Sequence, residues 1–144
     1  MTNDILIFAE QRDDKAHPAA LQLVTPARAL AGKTGGKVVA CLVGDKPDAA
    51  SGAVEKAGVD RIVAVANPVL GKYSALRYRT ALAAVIANVQ PRVVLLAATF
   101  MGRDLAPRVA VKCQGALATD VIELTITDAG ALDDLCALAA PGWL

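Results

Sequence analysis

Two short stretches hold the residue types that could meet a ligand. Glu10, Gln11 and Arg12 follow the apolar run Ile5-Leu6-Ile7-Phe8-Ala9, and Thr99, Gly102, Arg103 and Asp104 follow Val93-Val94-Leu95-Leu96-Ala97-Ala98. The second stretch joins a turn glycine, a guanidinium and a carboxylate at the start of a helical pattern. Free backbone N–H groups at such a start favour an anion. Glu10, Thr99, Gly102, Arg103 and Asp104 are therefore the candidates for holding a cofactor. A plainer reading competes, in which Asp104 caps the helix and Arg103 pairs with a nearby carboxylate.

The rest of the chain offers little chemistry. After the first apolar run there is no Gly-x-Gly-x-x-Gly and no Gly-Lys-Ser/Thr loop. Gly32, Gly35 and Gly36 fall at the end of a helical pattern, as a cap and turn would. Ser51-Gly52 lies inside a short helix rather than after a strand. His17 is the only histidine; it stands beside Pro18 without the orienting partner that a general base needs. Cys41 reads as strand core and Cys113 as a helix end, and neither has the surroundings of a reactive thiolate, although Lys112 adjoins Cys113. Asp13-Asp14 and Asp133-Asp134 read as solvated turns. Cys41, Cys113 and Cys136 are odd in number and far apart, with no Cys-x-x-Cys, so neither a disulfide framework nor a zinc site is indicated. No Ser-His-Asp or Cys-His set is visible. No catalytic residue and no metal ligand is assigned.

The elements that must position the two stretches alternate along the chain. Strands are predicted at Ile5–Ala9, Lys37–Val43, Arg61–Val65 and Arg92–Ala98, with a fifth near Asp120–Ile126. Helical spacing is predicted over Pro18–Ala31, Asp48–Ala57, Ser74–Val89 and about Arg103–Cys113. Pro26 falls inside the first of these, so a kink or a restart at Thr25 is expected. In the third, Leu76, Ala83 or Ala84, Ile86 and Ala87 are expected to face inward. Strands without polar alternation are buried on both faces. The alternation therefore predicts an α/β fold: a doubly wound, mainly parallel five-stranded sheet with helices on both faces, Rossmann-like or adenine-nucleotide α-hydrolase-like. Ligands of such sheets bind beyond the carboxyl ends of the strands, which is where Glu10 and Thr99 fall.

Composition supports one well-packed domain. The chain has 144 residues, 55% hydrophobic, of which 30 are Ala and only 3% of the total aromatic. Its core is therefore made of small aliphatic side chains. The net charge of +1 supplies no field to collect nucleic acid or an anionic membrane. The longest apolar runs are about six residues, far short of the roughly 20 of a spanning helix, so no membrane insertion is expected. The start, Met1-Thr2-Asn3-Asp4, lacks the basic residues of a secretion signal, and a cytoplasmic, reducing location is expected.

Some stretches are more distinctive than their composition. Thr99-Phe100-Met101-Gly102-Arg103-Asp104-Leu105-Ala106-Pro107-Arg108-Val109-Ala110 is followed by Leu117-Ala118-Thr119-Asp120-Val121-Ile122. With Ile5–Glu10 and Ala57-Gly58-Val59-Asp60, these closely resemble the N-terminal domain of the electron-transfer flavoprotein α subunit, over about Asp4 to Gly130. The resemblance implies an electron carrier component rather than an enzyme. It implies an αβ heterodimer with a β subunit, taking electrons from acyl-CoA or other dehydrogenases and passing them to a quinone-linked or similar acceptor. It implies FAD in the full complex, held mainly by a separate C-terminal domain, so that this chain alone binds none tightly. In that family the AMP belongs to the β subunit.

Residues 1–130 are accordingly expected to form the family-type domain and 131–144 an atypical tail. From Asp133 to Leu144 the chain departs from the family pattern and reads as a truncated or frame-shifted end, with the only Trp and the apolar Leu135, Leu138 and Leu144. The FAD domain is expected to be absent. Two other readings stand beside the leading one. One is an adenine-nucleotide-binding module using the loops of Glu10 and Gly102–Asp104. The other is a structural association domain without redox activity, forming a homo-oligomer through an open sheet edge after the fifth strand.

Overall fold

A computed structural model describes residues 2–121, 123–126 and 135–137, the last three by their backbone. Along the chain run β1 (Ile5–Phe8), β2 (Gln11–Arg12), β3 (Lys15–Ala16), α1 (Pro18–Gln22), α2 (Val24–Thr34), β4 (Val38–Gly44), α3 (Asp48–Lys56), β5 (Arg61–Ala66), α4 (Ala75–Val89), β6 (Val93–Leu95), α5 (Phe100–Cys113), β7 (Ala116–Ala118) and β8 (Leu135–Ala137). The main sheet is parallel, in the order β5-β4-β1-β6-β8-β7. A short antiparallel ribbon, β2 with β3, turns at Asp13-Asp14, both with positive φ as a tight hairpin turn requires.

The central strands are apolar without alternation because both of their faces are covered. Ile5, Ile7, Val38, Ala40, Val93 and Leu95 point to one side, where α2 and α3 supply Ala27, Leu30, Ala31, Ala50 and Val54. Leu6, Phe8, Val39, Cys41, Val94 and Leu96 point to the other, against Leu82 and Val85 of α4 and Leu105, Ala106 and Val109 of α5. Small alanines in both helical layers let the helices lie close to the sheet. That is where the alanine-rich composition goes.

The doubly wound parallel design is as expected, and three details differ. The sheet has six strands rather than five. The strand placed at Asp120–Ile126 is instead the earlier Ala116–Ala118, and β8 lies between it and β6. Asp120 has φ +54, which breaks an extended run; Leu124 and Ile126 pack on the core from outside the strand. The predicted helix Pro18–Ala31 restarts as expected, one residue before Thr25: it divides at Leu23, so Pro26 falls in the first turn of α2, where no N–H is needed. α2 ends on Gly35, whose φ of +73 suits a residue without Cβ. In α4 the buried residues are Tyr78, Leu82, Val85 and Val89, not the expected Leu76, Ala83 or Ala84 and Ala87; Ile86 is partly buried. Leu76 is 61% exposed. This helix is apolar on two faces, so periodicity alone did not choose between them.

Met1, Ile122 and residues 127–134 and 138–144 lie outside the described residues. The expectations for Asp133-Asp134, Leu138, Trp143, Leu144 and the form of the tail fall there. No helix among the described residues is long and apolar enough to cross a membrane.

Candidate functional site

Strand order reverses between β1 and β6. From β1 the chain steps outward through β4 to β5, then returns to β6 on the other side of β1. A crevice at the carboxyl ends of these two strands is where such folds take ligands. Glu10 leaves β1 at this point and Thr99 leaves β6.

Glu10 is 2% exposed and is the buried charged residue among the described ones. The Thr99 hydroxyl donates to its Oε2 at 2.5 Å. Thr99 is also the N-cap of α5: its Oγ1 accepts from the Gly102 N–H at 3.0 Å, and its carbonyl accepts from Arg103 N at 2.9 Å. A relay thus runs from the helix start through a hydroxyl to a carboxylate. Gly102 makes it fit, because a Cβ there would lie 1.8 Å from the Ala97 carbonyl oxygen. The Glu10 backbone is fixed as well, its carbonyl accepting from His17 N at 2.7 Å. Next to it, Gln11 Nε2 donates to the Val43 carbonyl of β4 at 3.2 Å.

The other two candidates lie elsewhere. Arg103 is exposed, donates from Nε to the Ala98 carbonyl at 3.3 Å, and stands 3.7 Å from the Asp120 carboxylate. The expected pairing with a carboxylate is therefore present. Asp104 does not cap the helix; Thr99 does, and α5 starts at Phe100 rather than Arg103. Asp104 instead accepts from the Tyr73 hydroxyl at 2.7 Å and from Arg108 Nε and Nη2 at 3.2 and 3.1 Å. These donors, Tyr73 first, hold its carboxyl below the usual carboxylate range. Burial, and then the hydrogen bond to Asp104, push the Tyr73 hydroxyl up. Tyr73 meets Tyr78 edge to face at 5.0 Å.

Sequence reasoning missed two roles. His17 caps α1, its Nδ1 accepting from Ala19 N at 3.1 Å; the signal was Pro18 at the first helical position. Thr99 caps α5, and the signal was its hydroxyl three residues before Gly102. Cys41 lies in the core of β4, where burial pushes its thiol up to about 12. Burial also raises Cys113, so neither is a ready thiolate. Among the described residues no three His, Cys, Asp or Glu side chains converge as a metal site would require.

The arrangement suits a packed joint better than a phosphate seat. A buried carboxylate already stands beside the helix start, linked to its donors through Thr99. An incoming phosphate would meet like charge there.

Fold and site together define a parallel, doubly wound α/β domain with a buried glutamate at its strand ends, hydrogen-bonded to the N-cap of α5. The chain belongs to the electron transfer flavoprotein domain family, whose sequence profile matches residues 5–137. It is 39% identical over 129 residues to the electron transfer flavoprotein subunit alpha of Thermoanaerobacterium thermosaccharolyticum, covering 90% of this chain and 39% of that one. Protein FixB of Azorhizobium caulinodans is 34% identical over 131 residues, covering 89% and 36%. The acryloyl-CoA reductase electron transfer subunit beta of Anaerotignum propionicum is 32% identical over 123 residues, covering 85% and 34%. The chain thus spans between 34 and 39% of the length of these relatives.

Proposed function

We propose that this chain is the α-type domain of an electron transfer flavoprotein and works as an assembly component of that carrier. It pairs with a β-type subunit. The complex takes electrons from acyl-CoA or other dehydrogenases and delivers them to a quinone-linked or similar acceptor. The chain itself is not an enzyme, and it acts in the cytoplasm. The body of the domain is assigned to residues 1–130. The observation that carries this reading is the family match over residues 5–137, with a relative named as the alpha subunit aligned along 90% of the chain. The Glu10–Thr99 hydrogen bond, which engages the start of α5, supports the view that the flavin of the complex is held outside this crevice. It also weighs against an adenine-nucleotide module.

Calorimetric titration of the chain with FAD, AMP and ATP tests the reading. No heat is expected up to millimolar ligand. A stoichiometric, tight FAD or AMP site on the chain alone would overturn it.

A further inference from the structure

His17 is the only histidine of the chain, and it stands where three pieces of structure meet. Directly after the β2–β3 ribbon, its N–H donates to the Glu10 carbonyl at the end of β1, at 2.7 Å. Its own carbonyl accepts from Ala20 N at 2.9 Å and Leu21 N at 3.3 Å, in the first turn of α1. The ring completes that turn, Nδ1 accepting from Ala19 N at 3.1 Å. Pro18 has no N–H, so Ala19 N is the first donor of the helix. Ala19 is 4% exposed and Ala20 0%, so water replaces the ring poorly as a partner for that N–H.

An imidazole accepts at Nδ1 only while the ring is neutral and its proton sits on Nε2. A proton taken up at Nδ1 turns the acceptor into a donor that faces another donor. The surroundings offer no replacement for the lost bond. The ribbon carries Arg12 and Lys15 against Asp13 and Asp14. The helix α3, packed on β3, carries Asp48 and Glu55 against Lys56. The helix α2, packed on α1, carries Arg28, which Asp60 holds, and Lys33. Glu10 is engaged by Thr99. Among the described residues no carboxylate is ion-paired with the His17 ring.

We propose that His17 is a proton-sensitive latch on the segment that joins β1 to α2: the neutral ring holds the start of α1 closed, and the protonated ring releases it. Histidine side chains ordinarily change charge between about pH 5 and 8. The folded contact belongs to the neutral form, so it is complete at the alkaline side of this window and is lost as pH falls through it.

Nuclear magnetic resonance of the full chain tests it, because a single histidine gives a single set of ring signals. At pH 7.5 the ring nitrogens should report the Nε2–H tautomer; the Nδ1–H tautomer overturns the latch. Between pH 7.5 and 5.5 the hydrogen-exchange protection of the Ala19 amide, corrected for the intrinsic effect of pH on exchange, should fall about fivefold or more. The amides of residues 39–42 in β4 should keep theirs and so show that the chain stays folded. His17→Asn supplies an acceptor that does not titrate, and Ala19 should remain protected at both pH values. His17→Ala should leave it poorly protected at both. Wild-type protection of Ala19 that does not change, or that falls as steeply in His17→Asn, overturns the proposal.

Discussion

Thr99 does two jobs with one hydroxyl: it accepts from the start of α5 and donates to the buried Glu10 carboxylate. Thr99→Ala should therefore cost more than the roughly 1 kcal/mol of a lost cap, about 2–3 kcal/mol, because a buried carboxylate loses its donor. Thr99→Ser should recover most of it; urea unfolding measures both. Gly102→Ala should cost about 2–3 kcal/mol, since its methyl meets the Ala97 carbonyl and the backbone must shift. The cap left a signal in the Thr99 hydroxyl three residues before Gly102, but the charged Asp104 competed for that role, and Tyr73, which claims Asp104, lies in another loop. Asp60 follows the same logic of partners at a distance. Its carboxyl is held low by Arg28 at 2.7 Å and then by the Val38 N–H at 2.8 Å. A group lowered by folding contributes stability above its unfolded value and loses it as pH falls through the folded one. The melting temperature should decline below about pH 5, and Asp60→Asn should flatten that decline. Cys41, fully buried with its thiol pushed up to about 12, should resist iodoacetamide at neutral pH until the chain unfolds. Peptide mass spectrometry would read this.

The elements divide by how many faces they bury. β1, β4 and β6 were legible because burial on both faces leaves an unbroken apolar run, as in Val38-Val39-Ala40-Cys41-Leu42-Val43. β7 was misplaced because Ala116-Leu117-Ala118 is short and mostly exposed, while Val121, Leu124 and Ile126 look more strand-like than they are. α4 was found to within one residue, yet its inward face was assigned to the wrong stripe. Both stripes are apolar, and only tertiary packing distinguishes them. Two substitutions separate them. Leu82→Ala, in the core, should cost about 2–5 kcal/mol. Leu76→Ala, on the outward face, should change stability by no more than about 0.5 kcal/mol. Equal costs in chemical denaturation would mean that α4 is rotated from the orientation described.

Across the whole molecule, the near-neutral charge conceals an uneven distribution. The two helices of one layer are basic, and the remainder of the chain carries a net −3 to offset their +4. At the strand ends Glu10 is buried against Thr99, whereas Leu76, Thr80 and Ala84 on the outward side of α4 are exposed among the described residues. The doubly wound design and the family could be read from the chain, since they rest on long local patterns. The Glu10–Thr99 contact and the orientation of α4 could not, because both arise from residues far apart in sequence. Sedimentation velocity of the chain mixed with a β-type electron transfer flavoprotein subunit tests the assembly role most directly. A complex of one chain with one β-type subunit is expected, weakening as salt is raised. Two species sedimenting independently at low salt would contradict it.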